Sequence, residues 1–415
     1  MRPRALARTR ALTAVRAVAA VAATALIASG CGSSSSGVTG LAPAGGVGAN
    51  DAHAARALGI PALATGNTTR VNGADPVADA AGVALAVYPS AAQGSHPAVV
   101  TLAPTGDWQA AIASSVLMAP PLHAPVLLSG PRTLPAATAQ ALSILSPAGS
   151  GAAGGAQLIR VGPVPSPTGM RSAPVAGSGP YALAAAIDRF AAAVAGRPSA
   201  DVVIASAAAP AYAMPAAGWA AESGDPVLFV NASGVPEATR QALLAHGRPH
   251  IYVLGPPSVI PGSVMSQLSA YGPVKRVGAD GAAANSVAFA AYRDPPCAYG
   301  QPCAHVPGSF GWAIRSPGHG YVLINASRPL DAAAAAALSG SADFGPQLLI
   351  EDPTTLPRAV LDYFLNYATP GYTQEGPTAA VYNHGWVIGD PSAISLSVQA
   401  RMDGLLQAIP QSTAP

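Results

Sequence analysis

Two short segments set an arginine, a turn and an aspartate just ahead of an apolar stretch: Thr68-Thr-Arg-Val-Asn-Gly-Ala-Asp75 and Val274-Lys-Arg-Val-Gly-Ala-Asp280. Arg70 and Arg276 have the guanidinium fork that suits carboxylates and phosphates. Asp75 and Asp280 stand in strand-to-helix connections, where open α/β sheets gather ligands near strand ends and helix N-termini. A second reading stays open, in which each aspartate caps the following helix and the arginine pairs with it, with no ligand needed. Asp107 beside Trp108 is a third candidate, a carboxylate and an indole that could hold a sugar. The corresponding places elsewhere carry Ala211-Tyr212 and Arg328-Pro329, which favours a packed indole. Asn231 and Asn325, at strand ends, could bond hydroxyls or turn the chain.

A catalytic constellation does not assemble from what remains. The eight histidines are scattered, with no His-x-His and no His-Glu-x-x-His pattern. There is no Gly-x-Ser-x-Gly elbow and no phosphate loop ending Gly-Lys-Ser/Thr. The Gly-rich match Gly149-Ser-Gly-Ala-Ala-Gly154 precedes an apolar run instead of following one, so it reads as a loop. Glu222/Asp225 and Glu351/Asp352 could be imagined as glycosidase partners, but adjacent acids of this kind usually sit solvated on a surface. The expectation is a protein without catalytic residues, metal or cofactor.

The elements that must position these side chains recur three times. The first apolar run of each copy is Val99 to Pro104, Val202 to Ala207 and Tyr321 to Ala326, short and continuous as in buried parallel strands. The second is Ala124 to Ser129, Asp225 to Val230 and Pro346 to Glu351. Leu134-Pro, Val235-Pro and Leu356-Pro then open helices, with proline expected in the first helical turn. Gln157 to Gly162, His250 to Gly255 and Gly385 to Gly389 close each copy on a glycine. A period of roughly 100 residues is domain-sized, so the units are tandem domains.

Five arginines (Arg2, Arg4, Arg8, Arg10, Arg16), a short apolar run Ala17 to Ile27 and Ala28-Ser-Gly-Cys31 read as an export signal. Small residues before Cys31 resemble the lipobox of bacterial lipoproteins, so residues 1–30 are expected to be removed and Cys31 to carry lipid. Residues 31–66, rich in Ser, Gly and Ala, read as a flexible tether. The repeats are expected at 67–170, 171–272 and 273–410. Of the 21 basic side chains, the five signal arginines would be lost, leaving fewer than the 19 acidic ones. That balance argues against a nucleic-acid partner. Cys297 and Cys303 lie in one short turn-forming segment of an exported chain, where a disulfide is expected in preference to a metal site.

Taken with Ala-Pro-Val-Leu-Leu at 124–128, Leu-Pro-Ala-Ala-Thr at 134–138 and Ile-Tyr-Val-Leu-Gly at 251–255, the Arg-turn-Asp segments resemble the cell-wall-binding repeat type 2 family, over most of Thr68 to Leu406. The resemblance implies an α/β fold: three tandem open α/β (Rossmann-like or Toprim-like) repeat domains packed with pseudo-threefold symmetry. It implies a non-catalytic envelope protein whose repeats bind anionic cell-wall polysaccharide, here linked to the membrane through lipid on Cys31. Pro76-Val-Ala-Asp79 replaces the family's usual Arg-Tyr-Glu-Thr, and the third copy lacks a clear Arg-Val-Gly-Ala-Asp opening. A solute-binding or sensor lipoprotein closing on a small ligand is the alternative, and it would divide the chain in two instead of three.

Overall fold

The computed structural model describes residues 62–92, 94–296, 309–341, 345–368, 371–372 and 382–410, all within the compact unit Ala42–Pro415. Cys31, the signal and most of the tether, and Cys297 and Cys303, lie outside the described residues.

Fifteen strands are described: β1 (Ala62–Ala64), β2 (Thr68–Val71), β3 (Val100–Pro104), β4 (Val126–Ser129), β5 (Leu158–Val161), β6 (Ser172–Val175), β7 (Asp201–Ser206), β8 (Val227–Val230), β9 (His250–Leu254), β10 (Val274–Val277), β11 (Gly320–Asn325), β12 (Gln347–Ile350), β13 (Gly371–Tyr372), β14 (His384–Ile388) and β15 (Ile409–Pro410). Three of the four sheets repeat one plan. Their orders are β4-β3-β5-β6, β8-β7-β9-β10 and β12-β11-β14-β2, the last extended by antiparallel β1. All other pairings in these three sheets are parallel. The fourth sheet is the short pair β13–β15. The first three strands of each unit coincide with the apolar runs read from the sequence, because a strand covered on both faces needs no polar alternation.

Each fourth strand feeds the next unit. After β6 in the first sheet, helix Gly179–Ala195 packs against β8 and helix Glu237–Ala245 of the second unit. After β10 in the second sheet, helix Ala282–Ala290 packs against β12 of the third. The third unit's fourth strand comes from the other end of the chain: β2 pairs with β14 in the register Arg70↔Val387, and helix Pro76–Val87 then packs against β4 and helix Ala136–Leu145 of the first unit. The Arg-turn segment at 274–280 thus belongs by pairing to the second sheet, and the third sheet takes its own from the N-terminal segment. Boundaries at 67, 171 and 273 group each opening strand with the helix after it, whereas hydrogen bonding groups it with the sheet before it.

This handing-on closes the units into a ring with pseudo-threefold symmetry. The helices that follow each first strand meet in the middle: Trp108–Ser114 with its 3-10 extension Ser115–Met118, Pro215–Ser223, and Pro329–Ser339. Small side chains permit the close approach. A Cβ on Gly218 would lie 2.7 Å from Ser339 Oγ, and one on Gly340 2.6 Å from Ala221 O. Pro135, Pro236 and Pro357 occupy the position before the first turn, with φ near −60° and ψ near 150°. They set the entry angle instead of sitting inside the helix. Three residues later, Thr138 and Thr239 donate from Oγ1 to the strand carbonyls of Leu128 and Phe229, at 2.6 Å each.

Candidate functional site

In each sheet the chain order reverses at the first strand, between β3 and β5, β7 and β9, and β11 and β14. A crevice opens at the carboxyl ends of two strands that diverge in this way. Here the start of the next unit's helix covers it, so three equivalent crevices lie at the three joints of the ring.

The residues closing them differ. At the first joint Leu183 fills the space: a Cβ on Gly162 would meet Leu183 Cδ2 at 3.0 Å and Pro104 Cγ at 3.8 Å. The second joint is polar and neutral at its floor. Tyr212 Oη accepts from Gly281 N at 3.1 Å, and Asn285 Nδ2 donates to Tyr212 O at 3.3 Å. At the third joint Arg328 bridges two carboxylates, Nη2 to Asp79 Oδ2 at 2.6 Å and Nε to Asp331 Oδ2 at 2.7 Å. Asp79 Oδ1 also accepts from Gly73 N at 2.9 Å. Asp79, Leu183 and Asn285 occupy corresponding places in the three covering helices.

Arg70 and Arg276, expected as ligand contacts, serve the backbone. Arg70 is fully buried. Its Nη1 donates to Gly389 O at 2.6 Å, Nε to Gln399 Oε1 at 2.8 Å and Nη2 to Ser395 O at 3.4 Å. Burial pushes the guanidinium down to about 10, so it stays charged at neutral pH. Arg276 repeats the arrangement one sheet earlier, donating to Gly255 O and Ile260 O at 2.7 Å each. In both cases the arginine gathers the carbonyls of the turn that follows the third strand. Neither arginine pairs with the aspartate of its own segment.

Asp75 is the N-cap of helix Pro76–Val87, its Oδ1 accepting from Val77 N and Ala78 N at 2.9 Å. Asp107 caps Trp108–Ser114 through Ala110 N at 2.9 Å. Asp280 differs: it is exposed, Gly281 is the N-cap of its helix, and the carboxylate at that terminus comes from Glu351, whose Oε1 accepts from Ala282 N at 3.0 Å. Trp108 packs edge-on against Phe229 of the second unit with centroids 5.6 Å apart. Asn231 and Asn325 turn the chain, their Oδ1 atoms accepting from Ser233 N and Ser327 N. Asp352 does the same with Thr354 N.

Asp225 departs from the solvated surface acid expected of it. It is buried, accepting from Trp219 Nε1 at 2.8 Å and Ser199 Oγ at 2.6 Å, and burial pushes it up to about 6. It borders a cleft of about 730 Å³ between the first two units, together with Pro120, Asp188, Arg197 and Glu222. Next to it, His246 is held by two acceptors, Ser199 O at 2.7 Å from Nδ1 and Asp188 at 3.0 Å from Nε2. Both ring nitrogens face oxygen acceptors, an arrangement that favours the imidazolium. Burial alone would lower its pKa, and the Asp188 carboxylate reverses this to a net rise.

Sequence reasoning passed over Asp79, Arg328 and Asp331. Their signal is present in retrospect: Asp79 and Asp331 are lone acids within Ala-rich helical stretches, where a charge without a partner would not be buried.

Residues 175–265 match the family model of Cell wall binding domain 2 (CWB2). That span runs from the end of β6 into helix Gly262–Leu268, the middle unit of the three. Among solved structures, Cwp8 from Clostridium difficile is similar over 82% of this chain and 52% of its own, with a TM-score of 0.58 and 13% identity. Cwp6 from Clostridium difficile is similar over 82% of this chain and 48% of its own, with a TM-score of 0.60 and 14% identity. The chain thus spans about half the length of each, and at this identity the likeness is one of fold. Comparison with curated proteins gives no match.

Proposed function

We propose that this protein is a non-catalytic cell-envelope lipoprotein whose three repeats bind anionic cell-wall polysaccharide, with lipid on Cys31 holding it to the membrane. The observation that carries the reading is the match of residues 175–265 to the wall-binding family, in the middle one of three units built to the same plan. The polymer is engaged on the surface over the three joints. Asp75, Asp107 and Asp280 each stand where a strand gives way to a helix, and their carboxylates accept hydrogen bonds from sugar hydroxyls. Arg70 and Arg276 act in this reading by shaping the turns behind the crevices instead of touching the polymer. A disulfide between Cys297 and Cys303 completes the proposed extracytoplasmic form.

Asp280 offers the cleanest test, because it does not cap its own helix. Asp280→Ala should leave the unfolding midpoint unchanged and reduce retention of the soluble chain on purified wall, with no wall fragments released during incubation. Unaltered retention removes Asp280 from the site, and released fragments overturn the non-catalytic reading. Cys31→Ala should move the protein out of the membrane fraction, and persistence there would contradict the lipid anchor.

A further inference from the structure

The third joint differs from the other two in what is buried there. Asp79 and Asp331 are both fully buried, and one guanidinium, that of Arg328, serves both. Two ionised carboxylates on one arginine would leave a net negative charge in the joint. An uncompensated buried charge is costly enough that groups change protonation state to avoid it. The corresponding helix residues of the first and second joints, Leu183 and Asn285, cannot titrate, so the feature belongs to one joint alone.

We propose that the Asp79–Arg328–Asp331 cluster holds one proton at neutral pH and makes the joint between the third and first repeats a pH-sensitive seam, which loosens as that proton is lost to solvent. The proton belongs to the pair and not to either residue. The surroundings are of mixed sign. Arg70 on β2 contributes a positive charge whose donors are spent on Gly389, Ser395 and Gln399. Asp75 on the covering helix and Asp390 after β14 are nearby negative charges, both engaged in capping backbone N–H groups. Arg70 is therefore not free to pair with the second carboxylate.

The direction of titration agrees with the geometry. Asp79 is raised by burial and then by repulsion from Asp331, and Asp331 is raised by burial against the pull of Arg328. For a carboxyl group raised on folding, the protonated form is favoured in the fold. Its stabilising contribution is complete below the ordinary carboxylate pKa and is lost as pH rises through the raised folded value. The joint's contribution to stability therefore falls progressively from mild acid upward and levels off once the cluster has given up its proton. This inference concerns the body of the protein and does not depend on what it binds.

The test is the unfolding midpoint of the soluble chain from pH 5 to pH 9, for the native sequence, Asp79→Asn and Asp331→Asn. Either variant leaves one carboxylate for one arginine, so no proton is needed. The native chain should lose roughly 3–6 °C between pH 5 and the pH at which the cluster gives up its proton, and little beyond it. Each variant should lose at most half as much. Arg328→Met, tested in parallel, should lower the midpoint most at high pH, where two unpaired carboxylates face each other. If one amide variant fails to fold, the other carries the comparison. If both fail, carbon-13 titration of labelled aspartate carboxyls in the native chain, with Asp225 identified through Asp225→Asn, replaces it, and a signal of Asp79 or Asp331 titrating above pH 6 supports the seam. Parallel pH profiles for the native chain and the amide variants, or titration of both Asp79 and Asp331 below pH 6, overturn the proposal.

Discussion

Arg70→Ala should unseat the strand that closes the ring. The guanidinium makes two short hydrogen bonds, to Gly389 O at 2.6 Å and Gln399 Oε1 at 2.8 Å, and a longer one to Ser395 O at 3.4 Å. Hydrogen bonds from a charged donor contribute about 1.5–3 kcal/mol each, and truncation leaves buried acceptors without a partner. Two such bonds give an expected loss of about 4 kcal/mol, a large share of a typical total of about 5–15 kcal/mol. The equivalent change Arg276→Ala should cost about half as much, since Arg276 is only half-buried and water can reach its acceptors. In urea, with a slope of about 2–3 kcal/mol/M, the Arg70 variant should unfold roughly 1.3–2 M earlier. Hydrogen exchange should locate the damage in residues 68–71 and 384–389, where β2 and β14 pair. The reasoning is refuted if Arg70→Ala unfolds at the native urea concentration with unchanged exchange in β14 while losing retention on wall, for then the guanidinium serves the polymer and not the backbone.

Other expectations concern the second unit and the turns. Because His246 is raised on folding, its stabilising contribution is complete below the ordinary histidine value and lost as pH rises through the folded one. His246→Gln should therefore cost about 2–4 kcal/mol at pH 6, and the difference from the native chain should shrink in alkaline urea titrations; a constant difference across pH would contradict the imidazolium. A Cβ on Gly345 would overlap Gly320 O, so Gly345→Ala should prevent β11 and β12 from pairing and yield chain that is cleaved by protease near that site. Native resistance in that variant would refute the packing described there.

Local pattern and long-range pairing differ in what they leave in a sequence. β3, β7 and β11 were legible as Val99 to Pro104, Val202 to Ala207 and Tyr321 to Ala326, because strands buried on both faces are continuous apolar runs. The fourth strands were harder. Val274–Val277 is partly exposed and carries Lys275 and Arg276, so it lacks that signature. Nothing local to Thr68–Val71 says that it pairs with His384–Ile388, more than 300 residues on, and the third copy consequently looked incomplete. The Arg-turn-Asp segments were visible, but residue type alone does not separate an arginine reaching a ligand from one reaching the carbonyls of Gly389 and Ser395. Asp75 followed the capping alternative that spacing allows, and Asp280 did not, because Glu351 reaches its helix from another unit; Asp107 caps a helix although no such role was read for it. The Arg328 cluster was hidden for the same reason as β2: Arg328 and Asp79 meet only when the ring closes.

The claim that this ring is a wall-binding body is tested most directly by co-sedimentation of the soluble chain with purified cell wall, before and after chemical removal of the anionic polymers. The account predicts that the protein pellets with intact wall, stays in the supernatant after stripping, and leaves the wall uncleaved. Equal pelleting with stripped wall, or none with intact wall, would contradict it.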